Sequence, residues 1–172
     1  HGDALHCDHS YFFSIYQHCW GWASWRRAWK LYDVEMTQWP AFRDQQQLRQ
    51  LGLNYRPFEA YWSRHFQKAY DGLIDTWDHQ WTFACWQHHG VNVIPTRNLV
   101  KNIGFGEEAT HTKTTSRLES KILLEDIPLP LHHPTAVSPN YKADIWTSKN
   151  IHHISWKNHF KQEIKTRTRT KA

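Results

Sequence analysis

Cysteine is scarce in this chain of 172 residues. Its three cysteines, Cys7, Cys19 and Cys85, are an odd number at wide spacing. Small domains that rely on disulfides normally carry an even number of cysteines in a tight pattern. The sequence therefore argues against a disulfide framework, and a reducing compartment is the simpler expectation.

Long apolar runs are also missing, because Arg, Lys, Asp or His interrupts every hydrophobic stretch. A transmembrane helix needs roughly 20 consecutive apolar residues. We therefore expect a soluble, cytoplasmic protein that is at most peripheral at the inner face of the membrane. The chain starts at His1 with no charged-then-apolar leader, so we expect a cut or processed beginning and an incomplete domain.

What the chain has in quantity is aromatic side chains, at 15% of its residues within an apolar fraction of 40%. That is enough to bury a core and unlike a disordered chain. The net charge of +5 is concentrated near the end, in Lys157, Lys161, Lys165, Arg167, Arg169 and Lys171. Such a tail is more typical of a solvated end, or of a weak contact with anionic lipid, than of a specific nucleic-acid reader.

Hydrophobic periodicity predicts short strands and several amphipathic helices. The predicted strands cover 11–16, 91–95 and 98–100. The predicted helices cover 23–32, 44–50, 57–70, 75–90 and 151–164, with Asp75 as N-cap of the fourth and Trp39-Pro40 as a break. The tryptophans of the first helix, Trp22, Trp25 and Trp29, recur at helical spacing and are interpreted as core.

Fourteen histidines and three cysteines raise the question of a metal site. The nearest cluster, His6, Cys7 and His9, lacks the second matching half that a structural zinc site needs. Cys85 falls on the apolar stripe of its predicted helix and is interpreted as a small core residue rather than a nucleophile. A zinc site and a Cys-His catalytic pair are both left without support from spacing.

The block from Asp75 to Trp81 brings two carboxylates to the start of a predicted helix, between large aromatic side chains. Amides and the dipole at a helix start favour an ionised carboxylate. One interpretation is capping alone, by Asp75 and Asp78. The other is a general base held beside Trp faces that stack on a sugar ring. The residues by themselves leave both open.

A second candidate is a glycine-hinged loop that ends at His111. Its functional residues are Gly104, Phe105, Gly106, Glu107 and Glu108. Two acids and a histidine on such a loop could close over a bound ligand, whereas the alternative is a flexible hairpin. The glycine spacing does not match a phosphate-cradling Walker loop.

Three blocks together resemble bacterial family-2-like nucleotide-diphospho-sugar transferases. They are His18-Cys19-Trp20-Gly21-Trp22-Ala23-Ser24-Trp25-Arg26-Arg27-Ala28-Trp29, then Asp75-Thr76-Trp77-Asp78-His79-Gln80-Trp81, then Asn98 through Gly104-Phe105-Gly106 to His111. The order and spacing of the blocks also match, and together the blocks span roughly 11 to 134. The Trp-Asp helix start and Phe-Gly loop are more distantly similar to the acceptor half of the N-acetylglucosaminyltransferase I group.

The resemblance implies an α/β fold, namely the C-terminal half of a GT-A domain over 1–145, followed by a C-terminal helix and basic tail over 146–172. It implies an inverting glycosyltransferase of hexosyl or N-acetylhexosaminyl type, whose partners are a nucleotide-diphospho-sugar and a glycan, lipid-linked or other hydroxyl acceptor. Asp78, with Asp75 as substitute, is implied as the base. The 104–108 loop would cover the donor, and His111 would help to hold a divalent Mn or Mg.

Such enzymes also have a nucleotide-binding half with an Asp-x-Asp-type metal motif, and neither is found in this sequence. The metal would therefore be held mainly by residues absent from this chain, and the chain alone is expected to be inactive. Trp20, Trp22, Trp77 and Trp81 are the predicted sugar-stacking residues, of which no more than two are expected to touch sugar. The alternative function is a non-catalytic carbohydrate-binding or interaction module that uses the same Trp-rich surface.

Overall fold

The computed structural model describes residues 8–51, 53, 55–101, 123–158 and 160. It combines helices with a small two-stranded sheet, consistent with the general α/β class expected from the sequence. In chain order the elements are β1 (Tyr11–Ser14), α1 (Arg26–Trp29), α2 (Trp39–Asp44), a 3₁₀ helix (Gln47–Leu51), α3 (Arg56–Tyr70), α4 (Asp78–Gln87), β2 (Asn92–Pro95) and α5 (Tyr141–Asn150). Among these residues, no helix is long and apolar enough to cross a bilayer.

The sheet joins β1 and β2 as antiparallel neighbours, with Tyr11 opposite Pro95 and Ser14 opposite Asn92. Alternating burial along β1 puts Phe12 and Ser14 on the inner face, as the period of a strand requires. The predicted strands 11–16 and 91–95 are thus confirmed with trimmed ends. Residues 98–100, also predicted as a strand, lie outside any strand.

Helix α3 is the longest element, and it forms where the apolar spacing predicts it. Pro57 occupies its first turn, where a missing amide proton costs nothing. Phe58, Trp62 and Phe66 recur four residues apart and are buried on one face. The helix gives way to Gly72, whose φ of +66° is a conformation that glycine adopts without strain.

Helix α4 begins three residues later than the sequence predicts. Its first residue is Asp78 and its N-cap position is Trp77, with no side-chain capping hydrogen bond. The prediction that Asp75 caps this helix is therefore wrong, because Asp75 is exposed and lies before the helix begins. Most of the circumference of α4 is buried, since its own residues Trp81, Phe83 and Trp86 all point away from solvent.

The core is built from aromatic rings contributed by α2, α3 and α4. Trp39 and Phe66 are fully buried, and the rings of Phe66 and Trp86 meet nearly edge to face at 5.5 Å and 72°. Phe83 likewise meets Trp39 edge to face at 5.8 Å and 89°. Edge-to-face geometry lets the positive ring edge meet the negative ring face, which favours tight packing of such clusters.

The segment 23–32 departs most from expectation, since only Arg26–Trp29 is helical. The predicted core role of this helix is wrong: α1 buries no residue, and Trp25 is 70% exposed. Trp22 and Trp29 instead contact each other and Trp81 of α4, away from the aromatic core. Helical spacing identified a shared face, but it could not tell which side of the protein that face would meet.

Two further helices differ from the prediction. Trp39 and Pro40 start α2 instead of breaking the chain, because Pro is tolerated in a first helical turn. Within the span predicted as the last helix, 151–164, residues 156–158 and 160 are helical and 151–155 are not. Helix α5 (Tyr141–Asn150) comes before this span and was not predicted; the Asn140 side chain caps it by accepting from the Ala143 amide. The residues that α5 buries are small or polar, so hydrophobic periodicity did not reveal it. Of the predicted span, 161–164 and His159 lie outside the described residues.

Candidate functional site

Asp78 stands at the first position of α4 with its carboxylate held by two side chains. Thr76 Oγ1 donates a hydrogen bond to Asp78 Oδ1, and His79 Nδ1 lies 2.8 Å from the same oxygen. The hydrogen bond from His79, opposed by partial burial and assisted by Thr76, lowers the pKa of Asp78 to about 2. The carboxylate is therefore ionised near neutral pH, so His79 Nδ1 must be the donor in this pair.

The backbone around this carboxylate is also fixed. The carbonyl of Asp78 accepts from Thr82 Oγ1 at 2.8 Å, within α4, and lies 3.4 Å from Gln17 Nε2, just after β1. These contacts tie the helix start to the strand end. The side chain of Asp78 nevertheless remains 37% exposed, and that of His79 22% exposed. The backbone of Asp78 is thus fixed by hydrogen bonds while its ionised carboxylate remains accessible to solvent.

Beside Asp78 lies a group that we call the histidine cluster, made of His65, His79 and His152 around Trp62. The His65 and His79 rings stack at 5.6 Å and 18°. The Trp62 ring is 5.9 Å from His79 and 5.1 Å from His152. Helices α3 and α4 and the end of α5 thus bring distant residues together.

Burial keeps parts of this cluster neutral. Desolvation by burial is the largest cause that lowers the pKa of His152, to about 4, and neighbouring histidines lower it further. His152 stacks on Tyr16 at 5.0 Å and 27°, which packs it against the core. Desolvation also lowers the pKa of His65, whose Nδ1 lies 2.8 Å from the Tyr61 carbonyl. These rings are consequently uncharged at neutral pH.

Another group of rings, which we call the aromatic platform, consists of Trp22, Trp29, Tyr32, Trp77 and Trp81. Trp22 stacks on Trp77 at 5.2 Å and 22°. Trp29 stacks on Tyr32 at 4.6 Å and 6°. Trp29 and Trp77 are each 42% exposed, whereas Trp81 is only 4% exposed and lies beneath Trp22 and Trp29. Half-exposed aromatic rings of this kind are surfaces on which apolar faces of sugars or other planar groups pack.

Gly21 shapes the approach to this platform. Its φ is +62°, and a Cβ at this position would lie 2.6 Å from a Val100 side-chain carbon. Both constraints exclude a larger residue. Glycine here lets the chain turn immediately before Trp22, which places that ring on Trp77.

The structure brings some of the predicted site residues together and leaves others apart. Asp78, Trp77 and Trp22 form one continuous region, and Trp81 supports it from below. Trp20 is 45% exposed. Asp75 is exposed three residues before the helix. The predicted loop residues Gly104, Phe105, Gly106, Glu107, Glu108 and His111 lie outside the described residues.

A metal site is not formed by the part of the chain that the structure describes, where no group of three or more His, Cys, Asp or Glu side chains could hold an ion. Cys85 does not qualify as a nucleophile, because burial raises the pKa of its thiol to about 12. Burial, followed by the nearby charge of Asp78, also raises the pKa of Cys19. Both cysteines are free thiols that remain protonated near neutral pH.

Sequence reasoning missed the histidine cluster. His79 sits next to Asp78 in the quoted block, so adjacency was the available signal for that residue. His65 and His152 are 14 and 73 residues from His79 in the chain, and only the packing of α3, α4 and the end of α5 brings them near it. No local pattern could have found those two.

Searches against protein-family models, curated proteins and solved structures find no match to this chain.

Proposed function

We propose that this chain is the acceptor-side part of a GT-A glycosyltransferase, which transfers a sugar from a nucleotide-diphospho-sugar to an acceptor hydroxyl. The observation that carries the proposal is an ionised, part-exposed Asp78 carboxylate, rigidly held at the start of α4 next to the stacked rings of Trp77 and Trp22. The three-block resemblance to nucleotide-diphospho-sugar transferases supports the same reaction. A base beside ring-stacking surfaces is what sugar transfer to a hydroxyl requires.

In the proposed step the acceptor oxygen forms a bond to the anomeric carbon while the bond from that carbon to the diphosphate oxygen breaks. The nucleoside diphosphate leaves with the electron pair, and the hydroxyl proton passes to Asp78. A carboxylate with a pKa of about 2 is a weak base for an ordinary alcohol. It suffices when transfer is late, because the attacking oxygen becomes strongly acidic once its bond to carbon has formed.

His79 serves in this scheme as a positioning residue. Its Nδ1–H keeps one carboxylate oxygen occupied, at 2.8 Å, and fixes the direction of the other. Orientation of a reacting group is worth a large part of a catalytic barrier. The hydrogen bond from Thr76 adds a second restraint on the same oxygen.

The aromatic platform would seat the acceptor. Trp77 and Trp22 offer surface adjacent to the carboxylate, and Trp81 holds them from below. Of the four tryptophans predicted to bind sugar, we now favour Trp77 and Trp22 as the two that touch it. Trp20 is the reserve candidate on exposure alone.

The remaining parts of the proposal come from the resemblance. The donor nucleotide would be bound mainly by residues outside this chain, with the 104–108 loop covering it. A divalent Mn or Mg, held mainly outside this chain with His111 as one contact, would stabilise the departing diphosphate when bound. A bacterial, cytoplasmic setting and a glycan-building role belong to the same proposal.

The experiment uses what we call the joined enzyme, a polypeptide that unites this chain with a nucleotide-binding half. We expect Asp78→Asn to lower kcat by at least about a hundredfold with donor binding retained, since general-base catalysis contributes about 10²–10⁴. Asp75→Asn is the matched control and should keep near-normal kcat, because Asp75 is exposed outside the helix. Normal turnover by Asp78→Asn would remove this carboxylate from the mechanism.

Product stereochemistry gives an independent test. A single displacement inverts the anomeric carbon, so NMR of the product should show the opposite configuration to the donor. A retained configuration would reject the scheme, whatever the effect of mutation.

The alternative function, a carbohydrate-binding or interaction module, is favoured by the exposure of the platform itself. Isothermal titration of this chain with glycans, followed by an assay for sugar transfer in the joined enzyme, separates the two. Glycan binding without nucleotide or metal, together with no transfer by the joined enzyme, would favour the module, whereas a transferase part should form a glycosylated product.

A further inference from the structure

A second aromatic surface lies apart from the platform, near the end of the described chain. Trp156 and Phe160 are 48% and 53% exposed, and their rings stack at 5.8 Å and 27°. Trp156 also meets Tyr55 edge to face at 6.4 Å and 86°. Two large apolar rings are thus half-exposed, and one of them packs against Tyr55, the N-cap residue of α3.

Basic side chains lie near Trp156 and Tyr55. Arg49, Arg56 and Trp156 line an open depression of about 630 Å³, together with Tyr55 and Glu59. Lys149 adds its ammonium, which lies 5.8 Å from the centre of the Tyr55 ring. Glu59 is the acid in the lining, and it lies 2.9 Å from Arg49 Nε.

The chain continues from Phe160 into a strongly basic sequence. Residues 161–172 contain one acid, Glu163, against five basic residues, namely Lys161, Lys165, Arg167, Arg169 and Lys171. The sequence that follows these two rings is therefore attractive to negatively charged partners. The partner that fits must combine negative charge with a boundary that accepts apolar rings.

We propose that this surface, which we call the Trp156 patch (Arg49, Tyr55, Arg56, Lys149, Trp156 and Phe160), docks the protein onto an anionic lipid bilayer. Lysine and arginine are attracted to anionic headgroups, and tryptophan favours the headgroup level of a membrane. The strength of peripheral membrane binding increases with both the apolar area that enters the interface and the electrostatic attraction to anionic lipids, and this patch offers both. The docking is independent of the proposed sugar transfer.

A membrane fits these rings better than single-stranded nucleic acid does. Nucleic-acid binders offer open ring faces on which successive bases stack. Here Trp156 and Phe160 already stack on each other, and Trp156 also contacts Tyr55. The faces that these two rings turn towards each other are closed to a base, whereas membrane association needs only exposed ring area at the headgroup level.

The test is sedimentation of the full chain with vesicles of phosphatidylcholine, with and without phosphatidylglycerol. We expect at least about tenfold stronger binding to the anionic vesicles, weakening as salt screens the charges. Replacing both rings, Trp156→Ser with Phe160→Ser, should weaken that binding about tenfold, because apolar burial at the interface is lost. The matched control is Trp25→Ser with Arg27→Ser. It removes another exposed indole and the guanidinium that lies 5.1 Å from the centre of that ring, and we expect it to keep vesicle binding.

Thermal melting checks that each variant folds. If the Trp156 double variant does not fold, Arg56→Gln with Lys149→Gln replaces it and should also weaken binding to anionic vesicles. Equal binding to neutral and anionic vesicles overturns the proposal, as does unchanged binding by the patch variants. Tighter binding to single-stranded RNA than to vesicles in the same buffer, or to soluble glycerol phosphate, overturns it as well.

Discussion

Two groups of indoles in this protein have opposite surroundings. Trp39 and Trp86 are at most 1% exposed and meet other rings largely edge to face inside the molecule. Trp22 and Trp77 stack nearly face to face at the surface, with Trp77 42% exposed. The same residue type thus closes a core in one place and forms an open platform in another.

The comparison shows how secondary structure decides the fate of a tryptophan. The core indoles Trp39, Trp62 and Trp86 come from α2, α3 and α4, whose buried faces meet one another. Trp22 directly follows a turn, and Trp29 lies in a single helical turn that buries no residue. Without a longer element to pack against the core, these rings satisfy their apolar surface mainly by contacting one another.

Removing a core indole should destabilise the protein more than any other change considered below. Trp86→Ala should lower the free energy of unfolding by about 3–5 kcal/mol, because it opens a cavity among close-packed rings. It also removes the 2.7 Å hydrogen bond from Trp86 Nε1 to the Ile15 carbonyl. Urea unfolding measures the change, and a loss below about 1 kcal/mol would contradict the assigned core.

His152 is a titratable ring that lies against the core. The pKa of His152 is about 4 in the folded protein and 6.5 in the reference state, so the unfolded chain binds more protons between these values. Stability is therefore lost as pH falls through this window. Relative to the wild type, His152→Phe should lose about 2 kcal/mol less between pH 7 and pH 5. His89→Asn, which removes an exposed histidine, should follow the wild type.

Asp144 should show the opposite sign. This carboxyl is fully buried, and burial raises its pKa from 3.8 to about 6, although Ser14 Oγ donates to it at 2.5 Å. The folded protein therefore binds the proton first, and stability is gained as pH falls from 6 towards 3.8. Asp144→Asn removes this gain and should be about 1 kcal/mol more acid-sensitive than the wild type between pH 7 and pH 5. Equal acid sensitivity in the two proteins would contradict the burial of a titrating carboxyl.

Removing a ring of the aromatic platform should destabilise the protein least. Trp77→Ala should lower the free energy of unfolding by only about 1 kcal/mol, the worth of one stacked pair on a half-exposed ring. In the joined enzyme it should raise the KM for the acceptor much more than it changes kcat. A stability loss as large as that of Trp86→Ala would mean that the platform is part of the core.

The sequence predicted those elements whose apolar residues recur on one face. Helix α3 is the best example, since Phe58, Trp62 and Phe66 lie at helical spacing and face the interior. Helix α5 escaped because it buries Ala143, Asp144 and Thr147, which carry no hydrophobic signal. Its place depends on the Ser14–Asp144 hydrogen bond, which joins residues 130 positions apart.

The candidate site was predictable to a similar, partial extent. Asp78 and Trp77 were found because neighbouring residue types suggested chemistry, but capping by Asp75 was wrong because α4 starts at Asp78. His65 and His152 depend on how helices pack, and local patterns do not specify helix packing. The division of indoles into core and platform required the same long-range information.

The central claim is that the Asp78 carboxylate, oriented by His79, takes the acceptor proton, and kcat of the joined enzyme tests it most directly. His79→Gln is the informative partner of Asp78→Asn, because glutamine keeps an N–H donor for the carboxylate but cannot accept the proton as imidazole can. We predict a loss of at least about a hundredfold for Asp78→Asn and less than about tenfold for His79→Gln. An equal or greater loss in His79→Gln would contradict the claim and assign the proton to the imidazole.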